Sequence, residues 1–274
     1  MLSLRKLGDG FGVEAHRIDL AASLSNTEFD EIERTFFAGQ VLVFRGQNLT
    51  PAQFHAFARR FGPSEPHVID QFHHPACADI LILSNVVKDG RATGLADAGT
   101  YFHTDYSYLD VPARCTMLYS IVVPKVGGDT LFANQYAAYD DLSVAMKTRL
   151  ENLVGLHHYG SRDDVNEASR TVASLLNDEQ KSKMNWVRHR IVRPHPVTGR
   201  KALYAVSGSS FGIEGMPDDE AIALLDELKV HATRPKYQYQ LKYGVGDVVI
   251  WDNASLLHSA TLLDPNDART LWRI

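Results

Sequence analysis

The chain has 274 residues, a formal net charge of −5, 45% hydrophobic residues and 22% charged residues. Those proportions exclude a disordered chain, a coiled coil and a collagen-like repeat, and the acidic balance speaks against a nucleic-acid partner, which would meet a basic stripe. No apolar run reaches the roughly 18 residues of a membrane span, Gly8 and Gly10 break the N-terminal segment before a signal-peptide core can form, and Cys77 and Cys115 are too few for a disulfide framework.

The first element in chain order is a helix opened by Ser25-Asn26-Thr27-Glu28, with Phe29, Ile32, Phe36 and Phe37 as its apolar face and Gly39 as its end. Val41-Leu42-Val43-Phe44 is a continuous apolar run and hence a buried strand. Thr50-Pro51 caps a second helix, which buries Phe54, Phe57 and Phe61 and stops at Gly62-Pro63. Ile80 to Leu83 is another buried strand. Residues 88–100, rich in glycine and small side chains, read as a long loop of the kind that serves as a lid. Cys115 to Val123 is a long strand closed by Pro124, and Gly127-Gly128-Asp129 is a turn.

Residues 136–153 are helical in pattern and 160–185 are polar without strand signal, so 136–185 reads as a helical insertion. Strands resume at Val187, with a hairpin turn at Pro196 to Gly199. Pro217 to His231 is a helix, Tyr237 to Tyr243 a half-buried strand and Val248 to Trp251 a buried one. There is no internal repeat and no linker. The expectation is one mainly β domain over residues 1–274, a sandwich or barrel with flanking helices.

His103-Thr104-Asp105 is the first chemical signal. On an extended backbone residues i and i+2 share a face, so an imidazole and a carboxylate point together. With one distant histidine they would complete the two-histidine-one-carboxylate triad of non-haem Fe(II) sites. Chance alone gives about one His-x-Asp/Glu in a chain with 12 histidines and 33 acidic residues, so the motif needs context. His258 follows the buried strand ending Trp251-Asp252-Asn253, and Arg269 and Arg273 share one strand face beyond it. Two planar guanidinium forks on an inward face require anionic partners. The residues alone leave open two alternatives: a non-catalytic small-acid-binding β-helix protein, and a zinc hydrolase using the same ligands. His73, His74, His157, His158 and His195 stand beside loops or turns and are expected to be structural. Trp251 is expected to be core, and Asp252 and Asn253 to fix the turn before His258.

Several segments in order carry a family resemblance: Val41 to Gln47, Phe57 to Gly62, His103-Thr104-Asp105, Gly127-Gly128-Asp129-Thr130, Trp251-Asp252-Asn253, His258 and the Arg269/Arg273 pair. Over nearly the whole chain the sequence resembles the Fe(II)/α-ketoglutarate-dependent dioxygenases of the taurine dioxygenase and dichlorophenoxyacetate dioxygenase family. Pro112-Ala113-Arg114 reads like the dichlorophenoxyacetate branch. The resemblance implies a double-stranded β-helix, a jelly-roll and cupin-like fold. It implies His103, Asp105 and His258 as iron ligands, Thr130 and Arg269 as the binders of the distal carboxylate of α-ketoglutarate (2-oxoglutarate), and O2 as the second cosubstrate.

The family pattern sets Arg273 and His67 against an anionic substrate, with Phe102 where the taurine enzyme has a substrate-side tryptophan. Gly99 and Asp70 replace a substrate-binding asparagine and a tyrosine, which speaks against taurine itself. The family usually continues a further strand beyond its second arginine, whereas this sequence ends one residue after Arg273. Retention of Asp105 argues against the halogenating variant of the chemistry. The expected activity is hydroxylation of a small organic carboxylate or sulfonate with release of succinate and CO2. The expected setting is cytoplasmic, with no nucleic acid and no membrane, and is compatible with a homo-oligomer.

Overall fold

In the computed structural model, which describes residues 2–8, 10–96, 99–159, 177–179 and 184–274, alternate residues of the central strands serve two different cores. β3 (Val41–Phe44) is buried along its whole length. Val41 and Val43 belong to an inner cluster, Leu42 and Phe44 to an outer one. Successive strand side chains project to opposite faces, so an all-apolar strand marks a sheet covered on both sides. β16 (Val248–Asp252) and β8 (Cys115–Val122) repeat the pattern, with Val249, Trp251 and Leu118 inward and Ile250, Met117 and Tyr119 outward.

The sheet built on them runs, in order, β1 (Ser3–Lys6), β2 (Val13–His16), β3, β16, β8, β18 (Thr270–Arg273), β5 (Cys77–Ser84) and β4 (His73–His74). Only the β2–β3 pair is parallel. A smaller antiparallel sheet of β15 (Gln238–Leu241), β9 (Thr130–Asn134) and β17 (Leu256–Ala260) covers the inner face. Phe132, Leu241 and Leu256 from it share the inner core with Val43, Leu83, Trp251 and Leu271. The expected jelly roll is therefore the observed fold.

Helices close the outer faces. α1 (Asn26–Gly39) starts with a capping box in which Ser25 accepts from the Glu28 backbone N–H and the Glu28 side chain accepts from that of Ser25. The left-handed residue at its end is Gln40 (φ 63°) rather than Gly39. Gly39 is needed for packing instead: a Cβ there would sit 2.8 Å from Val13 Cγ2. α2 (Pro51–Ala58) begins with the Thr50/Gln53 version of the same box and runs into a 3₁₀ turn, Arg59–Phe61. Phe29, Ile32, Phe36, Phe54 and Phe57 join the outer core. On the far side α3 (Gln135–Asp140) leads into α4 (Val144–Leu150), and α5 (Asp218–Ala232) lays Leu224 and Leu228 against Ala133 and Leu257.

Two expectations need correction. The first part of the 88–100 loop is a hairpin, β6 (Val87–Lys88) with β7 (Arg91–Ala92), turned by Asp89 and Gly90 in left-handed conformations. Leu95 then exchanges backbone hydrogen bonds with Ile82 and Ser84 of β5 (2.9 and 3.0 Å), which laces the segment to the sheet; residues 97–98 lie outside the described ones. Among the described residues the insertion at 136–185 is not helical throughout: helix runs to Leu150 and recurs at residues 178–179, with a strand between. β10 (Val154–His157) follows and pairs with β11 (Val187–Arg190) and later with β14 (Ser210–Ile213), and residues 160–176 and 180–183 lie outside the described ones. The hairpin at Pro196 to Gly199 is present, joining β12 (Val192–Pro194) to β13 (Lys201–Leu203).

His157 in β10 is buried, with Nδ1 3.1 Å from Ser210 Oγ and its ring 5.3 Å from that of His189. Burial, with His189 and Arg193 adding to it, pushes its pKa from 6.5 to about 3. The unfolded state thus binds one proton more than the folded state between those values. Stability from the neutral ring is fully present above 6.5 and is lost as pH falls. At pH 5 the loss is about 2 kcal/mol. His157→Gln is expected to flatten the decline of Tm between pH 7 and pH 5; a slope identical to that of the unsubstituted protein contradicts this.

Candidate active site

His103 and His258 exchange two backbone hydrogen bonds, N–H to O=C in each direction, both 2.9 Å. Residues paired in this way across antiparallel segments carry their side chains on one face, and the ring centroids are 4.2 Å apart. Asp105 returns to that face two residues on. Its Oδ1 is 3.6 Å from His103 Nε2 and its Oδ2 3.5 Å from His258 Nε2. The three ligand atoms lie within 4.8 Å of one another, and no other such group of His, Cys, Asp or Glu occurs among the described residues.

The surrounding hydrogen bonds set protonation and orientation. His103 Nδ1 is 2.8 Å from the Tyr101 carbonyl, which can only accept. Nδ1 therefore carries the proton and Nε2 offers a lone pair. Asn253 Nδ2 donates to Thr116 Oγ1 (3.0 Å), and Thr116 in turn donates to Asp105 Oδ2 (2.7 Å). Asn253 thus does not fix its own turn as expected. Asp252 does that, accepting from the Ala254 N–H (3.1 Å) and the Ser255 hydroxyl, and it is paired with buried His195 at 3.0 Å. Arg273 Nη2 lies 2.9 Å from Asp105 Oδ1. Burial pushes the Asp105 carboxyl up, but Arg273 and the two histidines outweigh it and hold it well below the usual range. Two imidazole lone pairs and one ionised carboxylate are a donor set that fits a divalent iron with open positions.

Thr130, Arg269, Arg273 and His67 all line the cavity into which the triad opens. Thr130 begins β9, in register with Leu241 on one side and Ala260 on the other. Arg269 precedes β18, its backbone N–H held by Asn85 Oδ1 at 2.8 Å. Gly128, at φ 68°, lets the arginine stem pass: a Cβ there would lie 3.2 Å from Arg269 Cδ. Arg273 also lies over the Tyr106 ring at 5.0 Å. His67 Nδ1 accepts from the Ile69 N–H at 3.2 Å, which leaves the proton on Nε2. Burial, then Arg273, pushes its pKa down to about 3, so the ring is a neutral donor.

Phe102 does not reach the cavity. It packs on the core under α5, because His103 takes the inward direction and its neighbour faces away. Tyr101, Tyr106, Tyr108 and Tyr159 line the cavity instead. Trp251 is core as expected, but its ring also packs 4.7 Å from that of His258. The sequence reading missed the tyrosines, Thr116 and Tyr243, whose hydroxyl is 2.8 Å from Thr130 Oγ1. The Tyr106-Ser107-Tyr108 run beside the histidine motif was the available signal for two of them. Thr116 and Tyr243 carry none, since only the strand pairing brings them in.

The sequence profile of the taurine catabolism dioxygenase TauD, TfdA family matches residues 3–274. The chain belongs to this family. The α-ketoglutarate-dependent 2,4-dichlorophenoxyacetate dioxygenase of Cupriavidus pinatubonensis is 36% identical over 273 residues, covering 96% of this chain and 93% of that protein. Pentalenolactone F synthase of Streptomyces arenae is 31% identical, over 97% of this chain and 92% of its own length. The crystal structure of AAD-2 in complex with Mn(II) and N-oxalylglycine superposes with a TM-score of 0.84 at 31% identity, covering 100% of this chain and 95% of that one. The protein is an Fe(II)- and α-ketoglutarate-dependent dioxygenase, and neither the binding-protein nor the zinc-hydrolase alternative finds support.

Thr116→Val is expected to lower the affinity for Fe(II), or for Co(II) as a probe, about 10–100-fold, the usual effect of removing a group that orients a metal ligand. Thr116→Ser, which keeps the hydroxyl, should restore most of it. Calorimetric titration of the metal-free protein reads both; unchanged affinity in the valine variant contradicts the assignment.

Proposed function

We propose that the enzyme hydroxylates a small organic anion, carboxylate or sulfonate, at the carbon next to its charged group. The observation that carries this reading is the position of Arg273, 2.9 Å from Asp105. An anion received by that guanidinium sits beside the metal ligands, so the adjacent carbon is the one within reach of oxidation. A guanidinium has five N–H donors in a planar fork, more than one Asp105 oxygen consumes. His67 Nε2–H supplies a second, neutral donor to the anion. Tyr106, Tyr108 and Tyr159 offer faces for a flat apolar body.

His103, Asp105 and His258 would hold Fe(II), and Thr130 with Arg269 the distal carboxylate of α-ketoglutarate. When bound, iron and α-ketoglutarate supply the oxidation: O2 is reduced, the oxo acid becomes succinate and CO2, and one oxygen atom enters a substrate C–H bond. The side chains do the rest. Arg273 and His67 fix the anion, the tyrosines bound the space around the target carbon, and the Thr116–Asn253 pair keeps Asp105 from rotating.

An aryloxyacetate, the kind of compound named for the Cupriavidus relative, meets these demands with a carboxylate, a ring and an oxidisable carbon between them. Hydroxylation beside its ether oxygen ends in fragmentation. We also assign the enzyme to the cytoplasm, since its two cysteines are free thiols; among the described residues no helix is long and apolar enough to cross a membrane.

Succinate formation driven by an aryloxyacetate, compared with that driven by its neutral amide, tests this reading. The anion is expected to support turnover and the amide not. Arg273→Ala should raise the KM for the anion at least about tenfold, with the KM for α-ketoglutarate near normal. Equal turnover of acid and amide by the unsubstituted enzyme contradicts the anionic-substrate reading.

A further inference from the structure

The Thr130 hydroxyl is held by a group outside the cavity wall. Leu241 ends β15 opposite Thr130, and the chain beyond it brings the Tyr243 hydroxyl to 2.8 Å from Thr130 Oγ1. Tyr243 does not line the cavity; it lies behind Thr130, within the electrostatic reach of Arg269. Among the described residues the Thr130 hydroxyl has no other side-chain or backbone hydrogen-bond partner.

The direction of that bond follows from acidity. A phenol is a far stronger acid than an alkyl hydroxyl, and the alkyl oxygen is the better acceptor, so Tyr243 donates and Thr130 accepts. Burial pushes the phenol above its ordinary pKa, so the proton it donates is present throughout the neutral range. With one lone pair committed to Tyr243, the Thr130 hydroxyl has its own proton left to give.

We infer that Tyr243 is a positioning residue for the cosubstrate: it turns the Thr130 hydroxyl toward the cavity, ready to donate to the distal carboxylate of α-ketoglutarate beside Arg269. The inference rests on the assignment of Thr130 and Arg269 to that carboxylate. It predicts that Tyr243 contributes only to oxo acids with a second carboxylate. Without Tyr243 the threonine hydroxyl becomes a free rotor, and Arg269 is left to hold the distal carboxylate with less help from Thr130.

Calorimetry on the Co(II)-loaded protein without primary substrate measures this apart from turnover. The probes are α-ketoglutarate and 2-oxobutyrate, which shares the oxo-acid end and lacks the distal carboxylate. Tyr243→Phe is expected to weaken α-ketoglutarate about fivefold, the scale of one neutral hydrogen bond, and to leave 2-oxobutyrate unchanged. Thr130→Val should weaken α-ketoglutarate comparably, and the double variant should bind no worse than Thr130→Val alone. If Thr130→Val weakens α-ketoglutarate and Tyr243→Phe does not, the role of Tyr243 is overturned and that of Thr130 stands. Equal losses for both acids in Tyr243→Phe also overturn it, as a general disturbance of the site. If neither variant changes α-ketoglutarate affinity, the assignment of Thr130 itself fails, and the inference with it.

Discussion

Two reciprocal backbone hydrogen bonds between His103 and His258 hold the site together. They bring two histidines far apart in the chain onto one face, and Asp105, two residues after the first of them, reaches the same site from the turn that follows. Because the contact is made by main chain, it fixes both imidazoles without spending a side chain. β17 is itself paired with β9, where His258 opposes Phe132 at the middle of the small sheet. The geometry of the proposed metal ligands is thus built into backbone hydrogen bonding, and the buried Trp251 ring packs on His258 from the facing sheet.

The same fold spaces two guanidinium groups along the cavity. Arg269 and Arg273 flank Leu271, and all three line the cavity. Four residues of strand span about 13 Å, enough to keep apart the cosubstrate carboxylate and the substrate anion that we propose for them. Arg273 leans on Asp105, while Arg269 rises past the Gly128 turn near Thr130 and Tyr243. A chain with a net charge of −5 therefore keeps an inward pair of guanidinium groups, and buried cations of that kind are stable only where anions meet them.

Local chemistry was legible in the sequence. The helix starts at Ser25 to Glu28 and at Thr50-Pro51 and the all-apolar strands depend on neighbours within a few residues and appear in the structure, which also brings the side chains of His103 and Asp105 together. Phe102 was misread because its place in the family motif says nothing of which way it points; alternation turns it outward and leaves the inward position to Tyr101. The left-handed residue at the end of α1 is Gln40, and Gly39 is explained instead by packing, since it has no room for a side chain against Val13. Asn253, Thr116 and Tyr243 act across strand pairings far apart in sequence, and no local pattern announces them. The hairpin at residues 87–92 was hidden because its two-residue strands are too short to show alternation.

The most direct test is a crystal structure of the protein with Mn(II) and N-oxalylglycine. The metal is predicted to bond Nε2 of His103, Nε2 of His258 and the Asp105 carboxylate, with the distal carboxylate of N-oxalylglycine on Arg269 and Thr130 and Arg273 still facing the metal ligands. A metal bound elsewhere, or a distal carboxylate seated on Arg273, would contradict this arrangement.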